Sequence, residues 1–259
     1  MQRTSEEFSL TGYRALITRF RDLGYQFRSF TDNTLQQGAR HLLLRHDVDI
    51  CLARAVMLAR LESELHIQSL YCVLLTSELY NPLSRENISH VRELIALGHE
   101  VGLHFDVSVY NDRERPLAPE RMTEHVAMEA ARLTEIVRVP VRVMSFHIPA
   151  KPLQGLAERI AGLIHTYEPR FFSEIGYVSD SSGEWRYGHP SEHPKVRDGA
   201  ALQLLTHPVW WARAESSCSP LTTLDEVSCG AAETYRLALA QSFKAFRVHF
   251  PERDWERQI

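Results

Sequence analysis

Short apolar runs alternate with helix-like stretches along most of this chain, and that alternation most constrains its fold. HLLLRHDVD (41–49), QSLYCVLL (68–75), EVGLHF (100–105), VRVMSF (141–146) and ALQLL (201–205) read as strands. The Leu42-Leu43-Leu44 run shows no polar alternation, which predicts a strand buried on both faces, as in a parallel sheet covered by helices. Leu10, Tyr13, Leu16, Ile17 and Phe20 recur at helical spacing before Gly24, predicting a helix over 9–23. Further helices are expected at about 52–65, at 84–97 with Ser84 as cap and Gly98 as stop, and at 119–137, 153–163 and 224–246. Asn81-Pro82 marks a turn, and shorter strands are expected near 167–172 and 175–178. Strands and helices in this order predict an α/β fold of βα units with a parallel sheet, open or closed into a barrel. No fixed-period repeat, low-complexity tract or linker interrupts it, so a single domain over 1–259 is expected.

Composition removes several function classes. A chain of 259 residues buries roughly 70–75% of its unfolded surface and needs no disulfide or metal staple to fold. Its 29 basic and 33 acidic residues leave a net charge of −4, which argues against an electrostatic grip on nucleic acid. No apolar run approaches the roughly 18–20 residues of a transmembrane span. The opening MQRTSEEFSL has two acids and no apolar core, so it does not read as a signal peptide, and a cytoplasmic location is the expectation. The cysteines at 51, 72, 218 and 229 share no CxxC spacing, so neither a zinc knuckle nor a redox pair is indicated.

The informative feature is where the polar residues fall. Four apolar runs end in groups that bind metal or move protons: Asp47 and Asp49, His104 and Asp106, His147, and His207. In α/β barrels and open parallel sheets the active site lies at the carboxyl ends of the strands, so these distant residues would meet at one mouth. Asp47 and Asp49 are two apart on a strand and point the same way. Unpaired they would repel, and a divalent cation removes the conflict, one carboxylate ligating while the other serves as a base. The competing reading of DVD is an Asx-type turn with His46 as partner.

His99, five residues before His104, follows the helix-ending Gly98 and reads as structural. His189 and His193 each precede a proline and read as loop residues; His41, His66, His90, His125, His165 and His249 have no companion at a useful spacing. Trp210 and Trp211 follow His207, and an aromatic face beside a reactive centre suits a sugar ring, although a core or rim anchor is the commoner role. Asp180, Trp185 and Arg186 lie in a polar–aromatic loop, YVSDSSGEWRYG, that either binds ligand or is simply exposed.

Together LLRHDVD, LESELHIQSLYCVLL, YNPLSRENISHVRELIALGHEVGLHFD, SFHIP, YVSDSSGEWRYG and LQLLTHPVWW resemble the polysaccharide deacetylase-like superfamily, also called the NodB-homology or carbohydrate esterase family 4 group. The likeness spans about 42–211 and is strongest to a divergent branch found in bacterial O-antigen and surface-polysaccharide gene clusters. GHEVGLH and LQLLTHP are its more specific pieces. The resemblance implies a distorted (β/α)7 barrel. It implies Asp47 as catalytic base, Asp49 and His104 as metal ligands, and His207 as general acid. The family's second motif continues with a histidine where this chain has Ser108; His147 is the candidate third ligand, with Asp106 in reserve. Asp180, Arg186 and Trp210 are the expected substrate contacts.

The implied cofactor is a divalent metal, zinc first, and the implied reaction removes an acetyl or formyl group from the nitrogen of an amino sugar or glycan. A structural partner in a surface-polysaccharide assembly, for which the sequence offers no specific sign, is one alternative, and two more stand beside it. One is an amidase of the same kind with a non-sugar substrate. The other, which Ser108 favours, is a catalytically silent glycan-binding protein.

Overall fold

The structure, a computed structural model, describes residues 8–111, 117–149, 151–156, 158–186, 188–212 and 219–253. It opens with α1 (Leu10–Asp22), whose N-cap Ser9 accepts a hydrogen bond from the Gly12 N–H and whose Tyr13, Leu16, Ile17 and Phe20 are buried. Among the described residues eight strands follow, all paired in parallel: β1 (Gln26–Phe27), β2 (His41–Val48), β3 (Leu70–Leu74), β4 (Glu100–Phe105), β5 (Val143–Phe146), β6 (Ile164–His165), β7 (Gly176–Ser179) and β8 (Leu202–Thr206). Their order is β6-β5-β4-β3-β2-β8-β7, with β1 beside the start of β2. The crossover helices are α2 (Leu52–Glu64), α3 (Arg85–Ala96) and α4 (Pro119–Val137); single turns follow at α5 (Pro169–Phe172), α6 (Pro194–Arg197) and α7 (Pro208–Trp211). Ser84 caps α3, and Gly98, at φ +93°, closes the turn after it.

All eight residues of β2 are buried, as a strand covered on both sides requires. Its side chains alternate. His46 faces outward to α1 and α2, meeting Tyr13 and Glu62. Arg45 and Asp47 face inward and meet Ser145, Thr166 and Gln203. The interior is layered. Phe30, Leu43, Leu70, Cys72, Val143 and Phe171 plug its floor. The Arg45 polar layer lies above them, and the carboxyl ends of the strands form the mouth. Gly102 on β4 keeps the interior narrow: a Cβ there would lie 2.9 Å from the Val143 carbonyl oxygen and 3.0 Å from Leu70 Cδ1.

The sheet curls but does not close by backbone pairing between β6 and β7. Side chains bridge that seam. The Gln203 amide of β8 donates to the carbonyls of Thr166 (3.0 Å) and Phe171 (2.8 Å), and Arg45 of β2 reaches Thr166 Oγ1 at 2.6 Å. The distorted α/β barrel expected from the resemblance is the architecture found.

On the outer face Glu62 of α2 is fully buried. It accepts hydrogen bonds from Tyr13, His46 (2.9 Å), Ser69 (2.6 Å) and Tyr71 (2.7 Å). Burial opposes its ionisation, but the His46 imidazole outweighs this and holds the carboxyl down at about 2. His99 is structural, as expected: Nε2 donates to the Ala59 carbonyl (3.0 Å), and Nδ1 accepts from the Ser69 N–H (3.3 Å).

Three expectations on secondary structure need correction. No helix spans 153–163 among the described residues; a 3₁₀ turn at Lys151–Leu153 gives way to turns and an Ile160–Leu163 bridge. Gly155, Ala161 and Gly162 all take positive φ there, which ends any helical run. The segment 167–172 is not a strand, because Pro169 starts the α5 turn. The last helix, α8 (Pro220–Ser242), starts earlier than expected, at the Ser219 cap, and a 3₁₀ segment, Lys244–His249, follows. Contacts divide the chain into two compact units, 1–216 and 217–259, and the motif-bearing strands all lie in the first. Among the described residues no helix is long and apolar enough to cross a membrane.

Candidate active site

Asp47 is held from below. Arg45, two residues earlier on the same face of β2, is completely buried and grips both carboxylate oxygens, Nε to Oδ1 at 2.8 Å and Nη2 to Oδ2 at 2.6 Å. Burial would raise the Asp47 pKa, but the Arg45 guanidinium and the nearby His104 keep it below the usual carboxylate range. The same guanidinium bonds Ser145, Thr166 and Tyr167, so Asp47 is fixed to β5 and to the chain after β6 as well.

Asp49 lies one step above, at the mouth. Its Oδ1 is 3.1 Å from His104 Nε2 and its Oδ2 is 3.7 Å from His207 Nε2. Burial opposes ionisation here too, and the imidazoles of His104, His207 and His147 overcome it, so the carboxyl stays ionised. His104, near the end of β4, is buried, with Nε2 also 3.6 Å from Asp47 Oδ2.

His147 follows β5 and lines the same cavity as His104, their ring centroids 5.3 Å apart. Its Nδ1 donates to Asp106 Oδ2 at 3.0 Å, which leaves Nε2 as the free lone pair. Asp106 therefore orients His147, and its other oxygen accepts the Ser108 N–H at 2.8 Å. Ser108 itself is exposed in the 3₁₀ turn Val107–Val109.

His207, which follows β8, donates Nδ1–H to Asp180 Oδ1 at 2.5 Å. Asp180 also accepts the His207 backbone N–H and, at 2.6 Å, the Trp211 indole N–H. Burial would lower the His207 pKa, but the Asp180 carboxylate outweighs it and lifts the imidazole to about 9, so it carries a proton at neutral pH. The expectation that Asp180 contacts substrate is therefore corrected. It is fully buried, with its oxygens spent on His207 and Trp211, and it is not among the described residues that line the cavity. Arg186 and Trp210, by contrast, do line the cavity, whose volume is about 640 Å³.

The donor chemistry at the mouth suits a divalent ion. Asp49 Oδ1 is buried with no hydrogen-bond partner among the described residues, and it faces His104 Nε2 at 3.1 Å. Two ligands around one zinc at ordinary bond lengths lie about 3.3 Å apart. The Asp106–His147 hydrogen bond is the carboxylate–imidazole pairing that fixes the tautomer of a ligating histidine. Among the described residues no three donors already close on one point; Asp49 and His104 converge, and His147 stands beside them.

Arg45 was missed by sequence reasoning, although the signal was present: in RHD the arginine and the aspartate are two apart and share a strand face. Tyr167, Phe172 and Tyr177, which wall the cavity, carried no comparable signal, because the strand reading of 167–172 misplaced two of them.

No protein-family model matches the chain, and no curated protein matches it. Solved structures do. A family 4 acetyl xylan esterase from Clostridium thermocellum, in complex with a cobalt ion, shares 13% identity over 74% of this chain and 84% of its own, with a TM-score of 0.39. The Streptococcus pyogenes deacetylase PplD, in complex with acetate, shares 13% over 82% and 84%, at 0.41. A CE4 family pseudoenzyme from Bacillus anthracis shares 12% over 77% of this chain, which spans 63% of that one, at 0.40. These likenesses are loose, and the chemistry of the site rests on its own residues.

Proposed function

We propose that this protein is a metal-dependent hydrolase that removes an N-acyl group, acetyl or formyl, from an amino sugar of a bacterial surface polysaccharide, in the cytoplasm before export. One observation carries the reading. Asp49 and His104 converge as metal donors between two separately held proton carriers, Asp47 on Arg45 and His207 on Asp180. The order of LLRHDVD, GHEVGLH and LQLLTH along the chain supports it.

Asp49, His104 and His147 would hold the ion, with zinc favoured by the two imidazoles and one carboxylate. When bound, such an ion polarises the acyl carbonyl and lowers the pKa of water. Asp47, ionised and fixed by Arg45, accepts the proton of the attacking water. His207, kept protonated by Asp180, gives its proton to the departing nitrogen as the C–N bond breaks. The products are a free amine and acetate or formate. Trp210 presents an apolar aromatic surface to the C–H face of a sugar.

A second reading, a silent glycan-binding protein, is favoured by Ser108 in place of the second motif histidine. One experiment separates them. Metal content of the freshly purified protein is measured together with acetate and formate release from a panel of N-acylated amino sugars. The hydrolase reading expects about one divalent ion per chain, lost in Asp49→Ala and His104→Ala, and turnover that disappears with it. A chain without stoichiometric metal that binds glycans and releases no acid overturns it.

A further inference from the structure

The cavity extends past the catalytic groups along a wall of different character. Ser179, Ser181 and Ser182 line it, followed by Arg186, the one arginine or lysine among the described lining residues. Elsewhere Tyr167, Phe172 and Tyr177 form an aromatic side, Asp47 is held by Arg45, and Asp49 faces the imidazoles of His104 and His207.

Arg186 is not a structural ion pair. Arg14, Arg28, Arg60, Arg121 and Arg170 each meet a carboxylate, whereas the Arg186 contact is Nη2 to Ser182 Oγ at 3.2 Å, with no acidic partner among the described residues. Most of its planar donor fork is thus unspent at a cavity wall. Ser182 is held there in the left-handed region, at φ +62°, which a residue with a side chain adopts only at some cost. The Ser179 and Ser181 hydroxyls lie 2.7 Å apart and use one proton between them, so one O–H remains to donate. An arginine fork beside spare hydroxyls, with no ion pair to a carboxylate among the described residues, matches an oxyanion better than a neutral sugar hydroxyl, since the fork has five donors and no acceptor.

Resting on the reading of this cavity as an amino-sugar site, we propose that the substrate carries an anionic group, a phosphate or a carboxylate, which Arg186 receives together with the serine wall. A charge-assisted contact of this kind is worth roughly tenfold to a hundredfold in affinity.

The test is calorimetric binding to the purified full chain of three probes: N-acetylglucosamine, its 1-phosphate and its uronic acid counterpart. The wild type is expected to bind at least one anionic probe ten or more times as tightly as the neutral sugar. Which one does so identifies the source of the charge. In Arg186→Gln, an exposed position whose change leaves the core intact, that preference falls below twofold while affinity for the neutral sugar holds. Equal binding of all three probes by the wild type overturns the inference and leaves the hydrolase reading standing. So does a preference that survives in Arg186→Gln, which would place the anion elsewhere in the cavity. Failure of all three to bind overturns both.

Discussion

Arg45 and Asp47 carry the sharpest consequence of any single pair. A fully buried guanidinium with one carboxylate as its counter-charge gives Asp47 a structural part beside the proposed role of base. Asp47→Asn is therefore expected to lose most turnover and also about 3–5 kcal/mol of stability, because Arg45 is left buried and uncompensated. Urea unfolding checks the second effect. An Arg45→Met/Asp47→Asn double variant should recover much of the stability and none of the turnover. A single Asp47→Asn variant as stable as wild type would show that Arg45 does not depend on this pair. The same logic explains what sequence alone missed at Asp180. A polar residue in a serine-rich loop reads as a surface ligand-binder until the curl of the sheet brings it against His207, 27 residues away, and buries it.

Elements are tied together here by a few buried polar side chains. Gln203 of β8 satisfies two carbonyls across the unpaired seam between β6 and β7. Gln203→Leu should cost roughly 2–4 kcal/mol, since both carbonyls lose their donor in the interior; an unchanged denaturation midpoint would show that water or a shift of the chain replaces the bridge. Glu62 of α2 links α1, β2 and β3 on the outer face. Its folded pKa, about 2, lies below the ordinary value of 4.5. The stability it contributes, about 3 kcal/mol, is fully present above pH 4.5 and is lost as pH falls toward 2. Glu62→Gln should accordingly be less stable than wild type at pH 6, with the gap narrowing at pH 4 and again at pH 3. A gap that is constant with pH would mean that Glu62 is not ionised in the fold. Element boundaries were most legible where local chemistry dictates them: β4 and α4 fall on their expected residues, the latter started by Pro119. The stretch 153–163 was misread because its helical composition is overruled by three residues in the left-handed region.

For the molecule as a whole, an ion bound at the mouth would tie β2, β4 and the end of β5 together and so favour the folded state by mass action. Dialysis against a chelator is expected to lower the thermal midpoint by several degrees, and zinc or cobalt should restore it. No change in the midpoint would remove the ion from the account of this site. The chain dictated a good deal without help from its fold: the alternation of strands and helices, the cap at Ser84, and the gathering of acids and imidazoles at strand ends. All of these follow from interactions within a few residues, the pleat that points i and i+2 to one side and the hydrogen bonds that start and stop a helix. Folding settled the rest. Strand order, the curl that sets Arg45 against Ser145 and Thr166, and the pairing of His147 with Asp106 and of His207 with Asp180 join residues 27 to 121 positions apart. Such partners are selected by register and curvature in three dimensions, and no local pattern encodes them.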